Sequence, residues 1–154
     1  MWRLACASGA LEPNTPYAYL LLATHFASTC LVATSPELPP GELAGFVAAY
    51  RPPSRPDAVF VWQIGVAAAA RGRRLASRLL DALVSLPACR EVRFLEATVA
   101  PSNTPSTRLF KGFARAHGVP CEVGPGFTAD DFAPLDHEAE PLFRIGPLKG
   151  TTPA

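Results

Sequence analysis

Arg71, Arg73 and Arg74 crowd around Gly72 in the stretch Arg-Gly-Arg-Arg-Leu-Ala, directly after an apolar run and directly before leucines at helical spacing. The first turn of a helix offers unpaired N–H groups and a partial positive charge, which together receive an anion. The same dipole disfavours cations, so a group of arginines there asks for a partner. Gly72 lets a ligand approach the backbone closely. Guanidinium groups add charge-assisted hydrogen bonds suited to a pyrophosphate. The alternative is a solvated basic turn. Neither a GxxxxGK[ST] loop nor a GxGxxG fingerprint is present, so a P-loop and a Rossmann site are excluded.

A second group is His137, Glu138 and Glu140, an imidazole and two carboxylates near the C-terminus. No other histidine has a spacing that would complete a metal site, so no metal is expected. The group reads either as solvated surface or as acid–base machinery. Asn103 has the composition and place of a helix N-cap. Cys6, Cys30, Cys89 and Cys121 are widely separated and form no CxxC pair, which points to free thiols in a reducing cytoplasm.

The elements around these residues follow from periodicity and punctuation. Residues 1–10 read as the end of a helix closed near Gly9. A second helix follows over 17–27, with Thr15-Pro16 as cap and first position. Segments 29–34 and 43–51 read as a hairpin, and 58–66 as the most buried strand. A helix is expected over 73–84, with Leu75, Leu79, Leu80 and Leu83 on one face. Another strand covers 91–99, and a helix runs from about 104 to 117, stopped by Gly118. The remainder reads as loop until a final strand at 140–148, with one further strand left unplaced between them. That order predicts an α/β (α+β) fold, a mixed central sheet with helices on both faces.

The chain has 154 residues, 49% hydrophobic and 18% charged, with a net charge of +1. It is long enough for one compact domain with its own core. A near-neutral balance gives no electrostatic argument for nucleic acid or a membrane surface. The apolar runs are far shorter than a bilayer span, and no secretory signal pattern opens the chain. The 17 prolines gather at expected loops, among them Pro36, Pro39, Pro40, Pro52, Pro53 and Pro56.

The stretch "RGRRLA", 71–76, resembles the acetyl-CoA pyrophosphate loop [QR]xxGx[GA] of the GNAT acyltransferases. Arg71 and Ala76 match its ends, and Arg74 stands where the pattern has glycine. "SNTPSTRLFKGFA", 102–114, resembles the helix that follows the next strand in that family. Longer stretches, "FVWQ" before the loop and "HEAEPLFRIGPL" at the end, are similar to the diaminobutyrate acetyltransferase family of ectoine biosynthesis, and the likeness runs over residues 3–148. It implies a single GNAT domain over 1–148 lacking the family's first strand, with 149–154 as a flexible tail. It also implies acetyl-CoA as co-substrate, a small amino-acid acceptor acetylated at its 4-amino group, and a cytoplasmic homodimer. The alternatives are a GNAT enzyme for another small diamine or amino acid, or a degenerate CoA-binding protein.

By the same resemblance, Arg71, Gly72, Arg73, Arg74, Leu75 and Ala76 hold the pyrophosphate. Ile64 and Val66 offer backbone groups to the pantetheine arm, with the Val66 N–H on the thioester oxygen. Asn103 touches the arm, and Phe110 occupies the place where many relatives carry a tyrosine that protonates the leaving thiolate. Glu12, Tyr17, Trp62 and Thr98 contact the acceptor; core packing is the other reading of Trp62, and an exposed loop acid that of Glu12. His137 and Glu140 hold the amine and take its proton. Such a base is needed because an amine with a pKa of about 10.4 is neutral in only about one molecule in a thousand at pH 7.

Overall fold

The computed structural model describes residues 1–9, 11 and 13–148. Helix α1 spans Trp2–Ser8 and ends at Gly9, whose φ of 63° makes the left-handed C-terminal turn. Helix α2, Pro16–His25, begins as its sequence requires: the Thr15 side chain accepts the Ala18 N–H, and Pro16 fills the first position. The hairpin pairs β1, Cys30–Ala33, with β2, Gly45–Tyr50. Strand β3 is Ala58–Val66, α3 Leu75–Val84, β4 Phe94–Thr98 and α4 Thr104–His117. Strand β5, Cys121–Phe127, occupies part of the segment read as loop, and β6 is Glu140–Ile145. The expected tail at 149–154 lies outside the described residues.

These strands form one mixed sheet in the order β1-β2-β3-β4-β6-β5. Only the β3–β4 pair is parallel. Alternation along β2 explains the layers. Val47 and Ala49 face a core made with Leu79, Leu80, Leu83, Phe110 and Phe113 of α3 and α4. Phe46 and Ala48 face the opposite way, against Ala5, Tyr19 and Leu22 of α1 and α2. Helices therefore cover both faces, as expected.

Two irregularities shape the centre of the sheet. The β2–β3 register steps from Ala48↔Gln63 to Ala49↔Val61, which leaves Trp62 as the extra residue of a bulge. Plain alternation of Phe60, Trp62 and Ile64 is therefore interrupted. The parallel pairing of β3 with β4 covers only Ala58–Phe60 against Phe94–Glu96. Beyond Phe60 the two strands part, and the gap between them opens into a cavity.

Candidate active site

Backbone groups on β3 are aimed into that gap. The Ala67 N–H donates to the Ala44 oxygen at 2.8 Å, so Ala67 belongs to a hydrogen-bonded pair across β2–β3. Pairing alternates along an antiparallel ladder. With Val66 opposite Gly45 and Ile64 opposite Val47, both residues turn their N–H and C=O groups away from β2 and toward β4. No β4 residue meets them there.

The cavity has a volume of 760 Å³ and is bounded by β3, β4, the start of α4 and the segment before β6. Trp62, Ile64, Thr98, Asn103, Phe110, His137 and Glu140 all line it, so most of the expected site is brought together. Trp62 lies edge-on to Tyr19, with ring centroids 5.4 Å apart. Asn103 caps α4 by accepting the Ser106 N–H at 3.1 Å. Phe110 is buried, 6.4 Å from the Phe143 ring, and carries no proton to donate.

One side of the cavity holds Thr98, His137 and Glu140. Thr98 Oγ1 donates to Glu140 Oε2 at 2.5 Å, joining the ends of β4 and β6. His137 Nδ1 sits 2.6 Å from the Glu138 carbonyl oxygen. A carbonyl only accepts, so Nδ1 carries a proton, and Nε2 faces Glu140 Oε1 at 3.8 Å. Phe132 stacks on the imidazole with centroids 4.1 Å apart. Glu138 points elsewhere: its carboxylate accepts from the Ser102 hydroxyl and from the Ser102 N–H at 3.3 Å. That ties the His137 segment to the start of α4. Among the described residues no cluster suits a metal ion, and no helix is long and apolar enough to cross a membrane.

The arginine loop differs from its expected form. Helix α3 starts at Leu75, so Arg73 and Arg74 precede the first turn instead of forming it. Arg74 is the N-cap residue with φ 58°, the one described non-glycine residue at positive φ. This left-handed geometry is why the family pattern has glycine at that place. Gly72 also has positive φ, 76°, and nothing stands where a Cβ would project. Arg71 Nη2 donates to the Ser8 oxygen at 3.1 Å, and Arg73 pairs with Glu37 at 3.0 Å, both exposed. The N–H groups of Leu75 and Ala76 have no carbonyl within the helix to bond.

Two acceptor-contact candidates fall outside this arrangement. Glu12 lies outside the described residues. Tyr17 is 72% exposed and does not line the cavity. Tyr19 occupies the inward position instead, donating to Gln63 Oε1 at 2.7 Å, and burial pushes its phenol pKa up.

Sequence reasoning also missed an ionic cluster at the cavity edge. Glu96 is fully buried; Arg144 Nη1 bonds one of its oxygens, and Arg55 Nε stands 3.0 Å from the other. Arg144 also reaches Asp57 at 3.5 Å and lies 3.7 Å over the Phe94 ring. The available signal was a lone carboxylate in mid-strand, which demands a cation from elsewhere in the chain.

The geometry of parted strands beside an anion-ready helix start accompanies a clear likeness to known proteins. A model of the acetyltransferase (GNAT) family matches residues 2–114. The L-2,4-diaminobutyric acid acetyltransferase of Halalkalibacterium halodurans is 48% identical over 96% of this chain and 76% of its own length. The solved diaminobutyrate acetyltransferase EctA from Paenibacillus lautus, in complex with L-2,4-diaminobutyric acid and coenzyme A, superposes with a TM-score of 0.88 at 40% identity, covering 99% of this chain and 90% of that one. Ard1 from Thermoplasma volcanium, at 18% identity and a TM-score of 0.71, shares the fold alone. The chain belongs to the GNAT acetyltransferases and, within them, to the family of the L-2,4-diaminobutyric acid acetyltransferases.

Proposed function

We propose that this protein transfers the acetyl group of acetyl-CoA to the 4-amino group of L-2,4-diaminobutyrate, a step of ectoine biosynthesis. The observation that carries this reading is one cavity in which the unpaired backbone of β3 faces the Thr98–Glu140–His137 group. The likeness to a relative solved with that amino acid and coenzyme A supports the choice of substrates.

Acetyl-CoA supplies an acyl group activated as a thioester. Its pyrophosphate fits the α3 start: the N–H groups of Leu75 and Ala76, the open backbone at Gly72, and the side chains of Arg71, Arg73 and Arg74. Arg71 and Arg73 would exchange exposed partners for it. Ile64 and Val66 extend the sheet to the pantetheine arm, and Asn103 and Phe110 flank it. The acceptor enters as an ammonium ion beside Glu140, with Trp62 and Thr98 forming its seat. Leu11 and Asn14 line the cavity, which supports a role for Glu12 at its edge.

His137 Nε2, assisted by Glu140, takes the proton, directly or through a water. The freed amine attacks the thioester carbonyl; the N–C bond forms, the C–S bond breaks, and the nitrogen sheds its second proton to solvent as the amide forms. The Val66 N–H meets the negative charge that develops on the carbonyl oxygen. The departing thiolate collects its proton from solvent, since Phe110 has none to give.

Residues 1–148 are read as one acetyltransferase domain of a cytoplasmic homodimer. Exposed Tyr17 and Leu20 on α2 and Val32 on the edge strand β1 support self-association. Light scattering at twice the 16.3 kDa chain mass tests it. The function is tested by coenzyme A release with diaminobutyrate, ornithine, lysine and putrescine in parallel. Diaminobutyrate is expected to lead in kcat/KM by about 100-fold. A lead for another amine keeps the fold and removes this substrate.

A further inference from the structure

Among the described residues lining the cavity, Arg55 is the one permanent cation and Glu140 the one carboxylate. Arg55 is held from behind. Its Nε meets the fully buried Glu96 at 3.0 Å, while its side chain stays 42% exposed. Its terminal nitrogens make no hydrogen bond with any described residue, and Arg144 serves the other oxygen of Glu96. The guanidinium is thus drawn to the sheet on its Nε side by the charge of Glu96, an ion pair in which neither atom has a hydrogen bond, and its forked edge is left for the cavity.

The loop that carries it is stiff. Arg55 lies between Pro53 and Pro56, its N–H donates to the Pro52 oxygen at 3.0 Å, and its oxygen accepts from Ala58 at 3.0 Å. Arg51 braces the same loop by donating to the Pro56 and Ala88 carbonyls. A cation ordered before binding costs little further entropy when a ligand arrives.

Spacing fixes what it would bind. Glu96, which holds Arg55, and Thr98, which holds Glu140, are two residues apart on one face of β4, about 7 Å. In 2,4-diaminobutyrate, four bonds separate the 4-nitrogen from the carboxylate carbon, roughly 5 Å when extended. An ammonium at Glu140 therefore brings the carboxylate within reach of Arg55.

We propose that Arg55 binds the acceptor's α-carboxylate, which makes this an acetyltransferase of diamino acids and not of simple diamines. The assignment rests on the proposed function and deepens it. The natural control is 1,3-diaminopropane, which is the same acceptor without its carboxylate.

The test is steady-state kinetics with L-2,4-diaminobutyrate and 1,3-diaminopropane on the wild type, Arg55→Gln, Arg55→Lys and the double variant Arg55→Gln with Glu96→Gln. The wild type favours diaminobutyrate by about 100-fold in kcat/KM. Arg55→Gln raises KM for diaminobutyrate by about 30-fold, with kcat within about 3-fold and 1,3-diaminopropane unaffected. Arg55→Lys retains part of the preference. The double variant leaves no buried carboxylate behind, so it shows the same loss even if Arg55→Gln folds poorly. Equal losses for both amines, or an unchanged KM for diaminobutyrate in both Gln variants, overturn the assignment and leave the proposed function standing. A wild type that turns over neither amine removes both.

Discussion

Phe132 stacks on His137, with ring planes 29° from parallel, and Phe127 meets Phe132 edge-on at 6.0 Å. An aromatic column thus orients the imidazole, while the Glu138 carbonyl fixes its Nδ1 proton. If His137 is the base of the proposed reaction, Phe132→Leu is expected to lower kcat about 10-fold and leave the acceptor's KM within about 3-fold, because a tilted imidazole misses the amine without emptying its seat. Steady-state kinetics decide this; an unchanged kcat would show that the stack does not orient the base.

Glu140→Gln keeps an acceptor for the Thr98 hydroxyl but removes the charge. We expect kcat/KM to fall at least about 100-fold at pH 7, and to recover as the pH approaches about 10, where the amine sheds its own proton. The wild-type profile lacks that late rise. A variant profile parallel to the wild type would take Glu140 out of the proton path.

Arg74 holds a left-handed backbone that costs an L-residue about 1 kcal/mol, partly offset by the greater freedom glycine gives the unfolded chain. Arg74→Gly is therefore expected to leave stability equal or up to about 1 kcal/mol higher, while KM for acetyl-CoA rises about 10-fold as a phosphate contact is lost. Thermal melts and acetyl-CoA titrations provide the check. An unchanged KM would mean that the guanidinium carries no phosphate.

Arg144 shares the charge of the fully buried Glu96. Arg144→Met leaves that carboxylate with Arg55 alone and is expected to cost about 3 kcal/mol in urea denaturation. Adding Glu96→Gln should recover much of the loss. If it recovers none, packing of Arg144 on Phe94 is the larger part of its contribution.

Burial pushes the thiols of Cys30, Cys89 and Cys121 up in pKa, whereas Cys6 is exposed. Less thiolate at neutral pH means slower alkylation. Iodoacetamide at pH 7.5 should modify Cys6 first, and Cys89, which is 2% exposed, last. Peptide mass mapping reads the order, and early labelling of Cys89 would reveal local opening of the core.

Local rules were legible and remote ones were not. Thr15, Asn103, Gly9 and Gly118 marked helix ends correctly because capping depends on a few adjacent residues. The start of α3 was read two residues early because an arginine gives no sign of a left-handed backbone. Strand β5 was hidden by its Gly-Pro-Gly, a sequence that ordinarily ends strands. Tyr17 came from the resemblance alone, since α2 is apolar all round and its periodicity does not tell an inner face from an outer one. The Arg55–Glu96–Arg144 cluster joins three separated segments, and only the fold shows which cations reach the acid.

The extra residue at Trp62 sets more than the position of one side chain. It shifts the phase of β3, so that residues 64 and 66, and not 63 and 65, present their backbone to the gap. Removing that residue would let Val61 and Gln63 pair with Ala49 and Ala48 in an unbroken ladder, and would take away the bend that a bulge gives the strand where it leaves β4. What this part of the enzyme inherits is a count, not a set of letters: substitutions at Ile64 and Val66 can preserve its chemistry, and a one-residue deletion cannot.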